Sequence, residues 1–306
     1  MINYSFIIPH KNCPGLLQRC VDSIPERDDV QVIVVDDNSE EGKKPSLKER
    51  KNLQVILLDA TQAKGAGRAR NLGLTHAEGK WLLFADADDY YNEGFLDVLD
   101  NELNDGIDVL YFDFYNNFNI TDSSEEPTKY HNYLVEYIEN PDSHFRENRV
   151  KFGLNAPWNK VYRSDFVKDN KVYFEEIPAG NDIRFVHSCG ALANRIKCIS
   201  DKLYYYIKNK DGITNKKMTK EAIVKRIKTS SSHVRFIQDL GVWDIGDTSW
   251  PPIIDIFNNY GLLFSLKVYF LKLWYYRPVL YVHFKHMILL FKEKAYNKKM
   301  QKTSSQ

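Results

Sequence analysis

The sequence predicts an α/β fold built on an open, mostly parallel sheet, and three features carry that prediction. Through the first half of the chain, short apolar runs alternate with segments of helical periodicity. The runs are rich in β-branched residues, as strands buried on both faces require. Two of them stop abruptly in paired aspartates, and the carboxyl ends of parallel strands are where such sheets bind ligands.

The elements follow in order. Residues 5–8 form a short apolar strand that Pro9 ends, and residues 14–24 place Leu16, Leu17, Cys20, Val21 and Ile24 on one helical face. Val32, Ile33, Val34 and Val35 make residues 30–35 the second strand, after which Asp36-Asp37-Asn38-Ser39 substitutes acids and turn formers. Residues 53–58 predict a third strand and residues 65–76 a helix containing glycine and alanine. The fourth strand, residues 81–84, runs through Ala85 into Asp86-Ala87-Asp88-Asp89. Phe95, Leu96, Leu99 and Leu103 keep helical spacing, and residues 109–112 predict another strand. The polar stretch 116–130 reads as exposed loop. Beyond it, residues 155–163 are dense in groups that orient polar ligands. An acidic segment, 175–182, then leads into an apolar helix beginning at Ile183, and residues 219–239 predict a further helix.

Composition bounds the function. With 306 residues, 43% hydrophobic and 27% charged, the chain supports a large core and is no disordered or fibrous polymer. The 42 Lys and Arg against 41 Asp and Glu argue against a general nucleic-acid binder. The balance conceals a split: residues 262–306 hold nine Lys or Arg against the single acid Glu293, a net +8, leaving −7 for residues 1–261. Cys13, Cys20, Cys189 and Cys198 form no short C-x-x-C pair, so a reducing compartment is expected. The opening residues lack the basic start and long apolar stretch of a signal peptide, so the main domain is expected in the cytoplasm.

Asp86 and Asp88 flank a small alanine just past a buried strand, a spacing that addresses a hard divalent cation directly or through water and ribose hydroxyls. A metal there would offset the charge that grows on a diphosphate leaving group. Asp36 and Asp37 could accept hydrogen bonds from a base imide or ribose, or could simply form an Asx turn. Residues 64–71 offer small residues for close approach and the cations Lys64, Arg68 and Arg70 for phosphate or base contacts, or else a solvated basic helix start. Neither G-x-x-x-x-G-K-[ST] nor G-x-G-x-x-G occurs at the positions a phosphate loop or dinucleotide site needs.

Together these residues resemble family 2 glycosyltransferases of the GT-A fold. Phe6-Ile7-Ile8-Pro9, Val35-Asp36-Asp37-Asn38-Ser39, Gly67-Arg68-Ala69-Arg70-Asn71-x-Gly73-Leu74 and Phe84-x-Asp86-x-Asp88-Asp89 occur in that family's order and spacing. The resemblance covers residues 3–210 and implies a Rossmann-like, mostly parallel sheet with a helical C-terminal extension. It implies a nucleotide-sugar donor bound by Pro9, Asp36, Asp37, Lys64, Arg68 and Asp86, with Mn²⁺ or Mg²⁺ at Asp88 and Asp86. Asp182 would be the general base that takes the acceptor hydroxyl proton. Asn181 stands where the family usually has Glu. Trp158, Asn159 and Lys160 resemble a stretch of the bacterial polysaccharide branch that helps build the acceptor side, and Asn181 joins them there. The implied activity is inverting transfer of a sugar, most naturally from a UDP-sugar, to a saccharide or lipid-linked saccharide in surface polysaccharide synthesis. A non-catalytic nucleotide- or glycan-binding scaffold is the alternative, and Asn181 is its sequence support.

The expected division is a catalytic domain at 1–215, a helical extension at 216–261 and a basic aromatic tail at 262–306. Lys267, Lys272, Arg277 and Lys285 interrupt the tail's apolar residues, so it does not read as a spanning helix. Cations beside Trp274, Tyr275 and Tyr276 suit a segment lying on an anionic membrane surface, at the inner face of the cell membrane. A packed helical pair would look the same in sequence.

Overall fold

The computed structural model describes residues 1–117, 128–177, 180–207, 219–239, 242 and 253–275. The chain divides into two compact units, residues 1–216 and 217–306. In chain order the first contains β1 (Tyr4–His10), α1 (Pro14–Asp22), β2 (Val30–Asp36), β3 (Leu53–Leu57), α2 (Ala66–His76), β4 (Trp81–Phe84), β5 (Tyr90–Tyr91) and α3 (Phe95–Glu102). It continues with β6 (Val109–Asn117), α4 (Lys129–Glu139), α5 (His144–Gly153), β7 (Lys160–Arg163), α6 (Ser164–Asp169), α7 (Ile183–Leu192) and β8 (Ile196–Ile207).

The eight strands form one sheet in the order β3-β2-β1-β4-β7-β6-β8-β5. Strands β1 to β4 run parallel, β7 is antiparallel to both its neighbours, β6 and β8 are parallel, and β5 closes the edge antiparallel to β8. The chain steps outward from β1 through β2 to β3, then returns to the other side of β1 for β4. That reversal opens a crevice at the carboxyl ends of β1, β2 and β4. These strands are buried almost throughout, which is why their sequences are continuous apolar runs rather than alternating ones.

Two strand limits differ from the sequence expectation. Pro9 lies inside β1 rather than ending it. Strand β4 pairs with β1 only from Tyr4 to Ile7, so the missing N–H of Pro9 faces a position past the end of β4 while Pro9 still aligns with Val35 of β2. Strand β6 continues past residue 112 because buried Asp113 finds a partner in His131 of α4, at 2.7 Å. The strand runs to Asn117 and α4 begins at Lys129, so both ends of the expected loop at 116–130 are regular structure, while residues 118–127 lie outside the described residues.

Helix α2 sits directly on β1. A Cβ on Gly73 would come within 2.4 Å of the Ile7 Cγ2, so only glycine permits this approach.

The second unit contains α8 (Lys220–Asp239), α9 (Ile253–Tyr260) and α10 (Leu262–Tyr275). Ile223 and Ile227 of α8, Ile256 of α9 and Val268 of α10 form one small core. The expected division between 261 and 262 therefore falls inside a packed cluster. Among the described residues, no helix is long and apolar enough to cross a membrane. Tyr276, Arg277, Pro278 and Lys285 lie outside the described residues, as do the side chains of Lys272, Trp274 and Tyr275.

Candidate active site

At the end of β2, Asn38 adopts a left-handed backbone (φ 57°), a conformation Asn tolerates better than most residues. The turn brings Ser39 back onto Asp36: its N–H donates to Oδ2 (2.9 Å) and its hydroxyl to Oδ1 (2.5 Å). The Cys13 N–H donates to His10 Nε2 (3.1 Å), leaving His10 Nδ1 to donate to Asp36 Oδ1 (2.7 Å). Asp36 is 1% exposed. Both its oxygens are engaged in tying the loop after β1 to the loop after β2. Asp37 reaches the other way and accepts from the Gly65 N–H (3.0 Å) and from Lys11 (3.3 Å). It thereby fixes the turn that enters α2. Pro9 shares this end of the sheet through its register with Val35.

Helix α2 presents two different faces. Lys64, just before it, and Arg68 both pair with Glu176, at 3.2 and 3.5 Å. Arg70 points inward, on the buried stripe that also carries Gly67, Gly73 and Leu74. It donates to Asn181 Oδ1 (2.9 Å) and to Asp86 Oδ1 (2.6 Å), and its guanidinium lies 5.4 Å from the Phe174 ring. One buried cation therefore joins the acid cluster after β4 to the segment that precedes α7.

The same helix clamps that segment. Asn71 exchanges hydrogen bonds with the Phe174 backbone, donating to its carbonyl (2.9 Å) and accepting from its N–H (2.8 Å). A Cβ on Gly67 would lie 2.1 Å from the Glu175 carbonyl oxygen, so the loop passes against bare backbone. Pro178 and Ala179 lie outside the described residues. The clamp delivers Asn181 and Asp182 to the start of α7, where the Asp182 carboxylate makes no capping hydrogen bond. Burial pushes that carboxyl above its ordinary value of 3.8; Arg70 opposes the shift, Asp86 adds to it, and Lys160 offsets it further. Three other acids in this part of the chain are engaged: Glu175 with Arg184 at 3.3 Å, Glu176 with Lys64 and Arg68, and Asp165 with Arg163 at 2.5 Å.

Beyond β4 the three aspartates diverge. Asp89 turns inward, where it accepts from the Tyr204 hydroxyl (2.9 Å) and the Ile207 N–H (2.7 Å). Burial and the neighbouring carboxylates hold it well above the usual range. Tyr204 also accepts from the Asp86 N–H (3.0 Å), so one phenol fastens both ends of the motif to β8. Asp86 and Asp88 remain partly open. Burial, and then Asp86, raise the Asp88 carboxyl, while Arg19 spends a hydrogen bond on the Asp88 carbonyl (2.5 Å). Two hard oxygen donors crowded together without full neutralisation suit a divalent cation whose remaining ligands come from phosphate and water. Among the described residues, no group of three or more His, Cys, Asp or Glu is arranged to hold a metal.

Trp158, Asn159 and Lys160 sit deeper than a direct acceptor contact requires. Trp158 stacks on Tyr204 (4.9 Å) and Tyr206 (5.3 Å), and its edge-to-face partner is Phe114 (4.7 Å). Asn159 is fully buried and bonds the Phe112 carbonyl. The Lys160 ammonium is surrounded by the carbonyls of Leu154 and Ala156 and by Asn159 Oδ1, at 3.2, 2.7 and 2.7 Å. Burial pushes its pKa down to about 7, against the pull of Asp182. These three side chains are buried and form a packed wall. The four cysteines are free.

The profile of the family described as glycosyl transferase family 2 matches residues 5–169, more than half of the chain. The chain belongs to glycosyl transferase family 2. It is 29% identical over 223 residues to the poly(ribitol-phosphate) beta-N-acetylglucosaminyltransferase TarS of Staphylococcus aureus (strain MW2), covering 69% of this chain and 36% of that protein. Against the poly(ribitol-phosphate) beta-glucosyltransferase of Bacillus spizizenii the identity is 26% over 219 residues, covering 68% and 32%. The chain thus spans about a third of the length of these curated relatives. A crystal structure of S. aureus TarS 1-349 in complex with UDP-GlcNAc superimposes with a TM-score of 0.58 at 25% identity, over 76% of this chain and 66% of that one. The fold of this family 2 member is GT-A, with the mostly parallel sheet described above and a helical C-terminal region.

Proposed function

We propose that this family 2 member is an inverting glycosyltransferase that moves a sugar from a nucleoside-diphosphate donor, a UDP-sugar, to a hydroxyl of a saccharide or lipid-linked saccharide. Surface polysaccharide synthesis, at the inner face of the cell membrane, is its setting. The observation that carries the reading is the Arg70 bridge, which holds Asp86 and Asn181 on one guanidinium and so keeps the β4 acids and Asp182 at one crevice. Asp37 and the turn at Gly65 form the nucleoside end, supported by their position at the carboxyl end of β2. Lys64 and Arg68 supply positive charge at the rim of α2.

The chemistry follows from these positions. The acceptor hydroxyl attacks the anomeric carbon, Asp182 takes the hydroxyl proton, and the bond to the nucleoside diphosphate breaks as the new glycosidic bond forms. Direct displacement inverts the anomeric configuration and requires no second carboxylate as nucleophile. A raised pKa makes Asp182 a stronger proton acceptor than an exposed aspartate. Asp88 with Asp86 would hold Mg²⁺ or Mn²⁺, which when bound offsets negative charge on the departing diphosphate. Trp158, Asn159 and Lys160 act from behind, keeping the wall of the crevice fixed.

The test is turnover of a panel of nucleotide-sugars, with and without Mn²⁺, followed by mass spectrometry of lipid-linked acceptors. Transfer, or metal-stimulated donor hydrolysis, is the expected result. Donor binding by the folded protein with neither transfer nor hydrolysis would replace this reading with a nucleotide-binding scaffold.

A further inference from the structure

We propose that the second unit docks on an anionic lipid surface through the cleft between α8 and α10 and the exposed apolar face of α10 beside it. The cleft has a volume of about 630 Å³ between Lys220, Val224, Lys225 and Lys228 of α8 and Phe264 and Lys267 of α10, with Glu221 the one acid among the described residues that line it. All four lysines are exposed. Lys220 lies 5.4 Å from the Phe264 ring, so cation and aromatic surface meet at the mouth of the cleft.

The adjoining face has the opposite chemistry. Ser265 and Val268 of α10 point into the unit's interior, whereas Leu263 is 85% and Phe270 63% exposed. At 3.6 residues per turn, Leu263, Leu266 and Phe270 lie together on the side away from Ser265 and Val268, and Leu262 and Tyr269 extend that exposed surface round toward Ser265. All five are exposed. Lys267 stands where this apolar face borders the cleft, between Leu263 and Phe264 around the helix.

The pairing selects the partner. A soluble polyanion would engage the lysines and leave five large apolar side chains in water. A purely apolar partner would leave four lysines without counter-charge. A bilayer surface satisfies both at once, with headgroup phosphates against the lysines and the Leu and Phe side chains at the acyl boundary. Among the described residues no helix is long and apolar enough to cross a membrane, and Lys267 interrupts α10, so the docking mode that fits it is along the surface. This deepens the proposed use of a lipid-linked acceptor and rests on that reading for its purpose, although binding and turnover are measured separately.

The full chain is sedimented with vesicles of phosphatidylcholine alone and of phosphatidylcholine containing phosphatidylglycerol, at low and high salt. Binding is expected only with phosphatidylglycerol and should weaken as salt rises. Combining Lys225→Gln, Lys228→Gln and Lys267→Gln should lower affinity about a hundredfold, from roughly fivefold per lysine near an anionic surface. Leu263→Ser with Phe270→Ser should weaken binding while leaving its salt dependence in place. Donor turnover without vesicles should equal wild type in both variants, which also reports that the chain is folded. If the wild-type chain ignores phosphatidylglycerol vesicles at low salt, or both variants bind as wild type does, the inference falls. It falls equally if inorganic polyphosphate binds the cleft and vesicles do not. Vesicle binding without donor turnover would instead overturn the proposed activity and leave the docking surface standing.

Discussion

The ends of β2 and β4 carry the same sequence pattern, a buried apolar strand running into aspartates, and the protein completes them in opposite ways. After β2, His10, Ser39 and the Gly65 N–H supply a partner for nearly every aspartate oxygen. After β4, only Asp89 is closed off, by Tyr204 and Ile207. Asp86 shares Arg70 with Asn181, and the raised Asp88 carboxyl keeps more negative charge around it than Arg19 offsets. The first cluster builds the floor of the crevice. The second is left charged and partly open, a state that costs stability and is retained where a ligand can supply the missing positive charge.

The largest effect is expected at the group that both clusters serve to position. Asp182→Asn keeps the shape of the side chain and removes its ability to accept a proton, so transfer should fall by ~10² to 10⁴ while donor affinity is kept. Single-turnover assays beside calorimetry with the donor would read both quantities. A variant within about threefold of wild type would move the base elsewhere and remove the reason for the clamp on residues 174–182.

The contrast itself is tested by paired substitutions. Asp88→Ala should lower Mn²⁺-dependent affinity for the nucleoside diphosphate by more than ~10-fold, since even outer-shell losses reach that size. Its stability should hold or rise, because a half-buried carboxylate without full compensation disappears. Asp36→Ala should do the reverse. It strands His10 and Ser39 in the interior and should cost about 3 kcal/mol in urea denaturation, with the folded fraction binding donor as before. If Asp36→Ala abolished donor binding without loss of stability, the two clusters would have to be read alike.

How far this contrast could be read in the sequence depends on the range of the interactions. The strands at 30–35 and 81–84 were legible because burial on both faces writes itself locally as an apolar run. Helices α1 and α3 were legible from their spacing, and α2 only as a segment containing glycine and alanine. Which aspartate would be closed was only partly legible: Ser39, three residues on, is a local partner of Asp36, but His10 lies 26 residues away from it, and the partner of Asp89 is Tyr204, 115 residues away. Nothing local separates Tyr204 from Tyr205 or Tyr206, yet alternation along β8 puts Tyr204 on Asp89 and Tyr205 on Tyr90. Arg70 did leave a local trace. Gly67, Arg70 and Leu74 share one helical face with Gly73 near it, and a cation on a face of glycines and leucine is a buried cation. The burial of Trp158-Asn159-Lys160 was not legible either, because two polar residues in a row read locally as an open surface. Here the carbonyls of Leu154 and Ala156 satisfy the lysine inside the protein.

The smallest expected effect is a displacement along the pH axis, and it sharpens the comparison because it concerns an acid that the chain leaves only partly compensated. Burial raises the Asp182 carboxyl above 3.8, Arg70 and Lys160 pull it down, and Asp86 pushes it up. A base acts only when ionised, so the acidic limb of the rate profile should lie above the ordinary carboxylate range, and the residual activity of Asp182→Asn should lack it. Stability carries the same sign. Between the unfolded value near 3.8 and the raised folded value, the native state holds the extra proton, so stability falls as pH rises through that window. At neutral pH the ionised carboxylate therefore works against folding. Thermal melts should show Asp182→Asn above wild type near neutrality, with the difference vanishing once pH drops below the unfolded value. A variant that instead melts below wild type at neutral pH would mean that Arg70 stabilises Asp182 as a structural ion pair, and the acid would then belong with those that the chain keeps for itself.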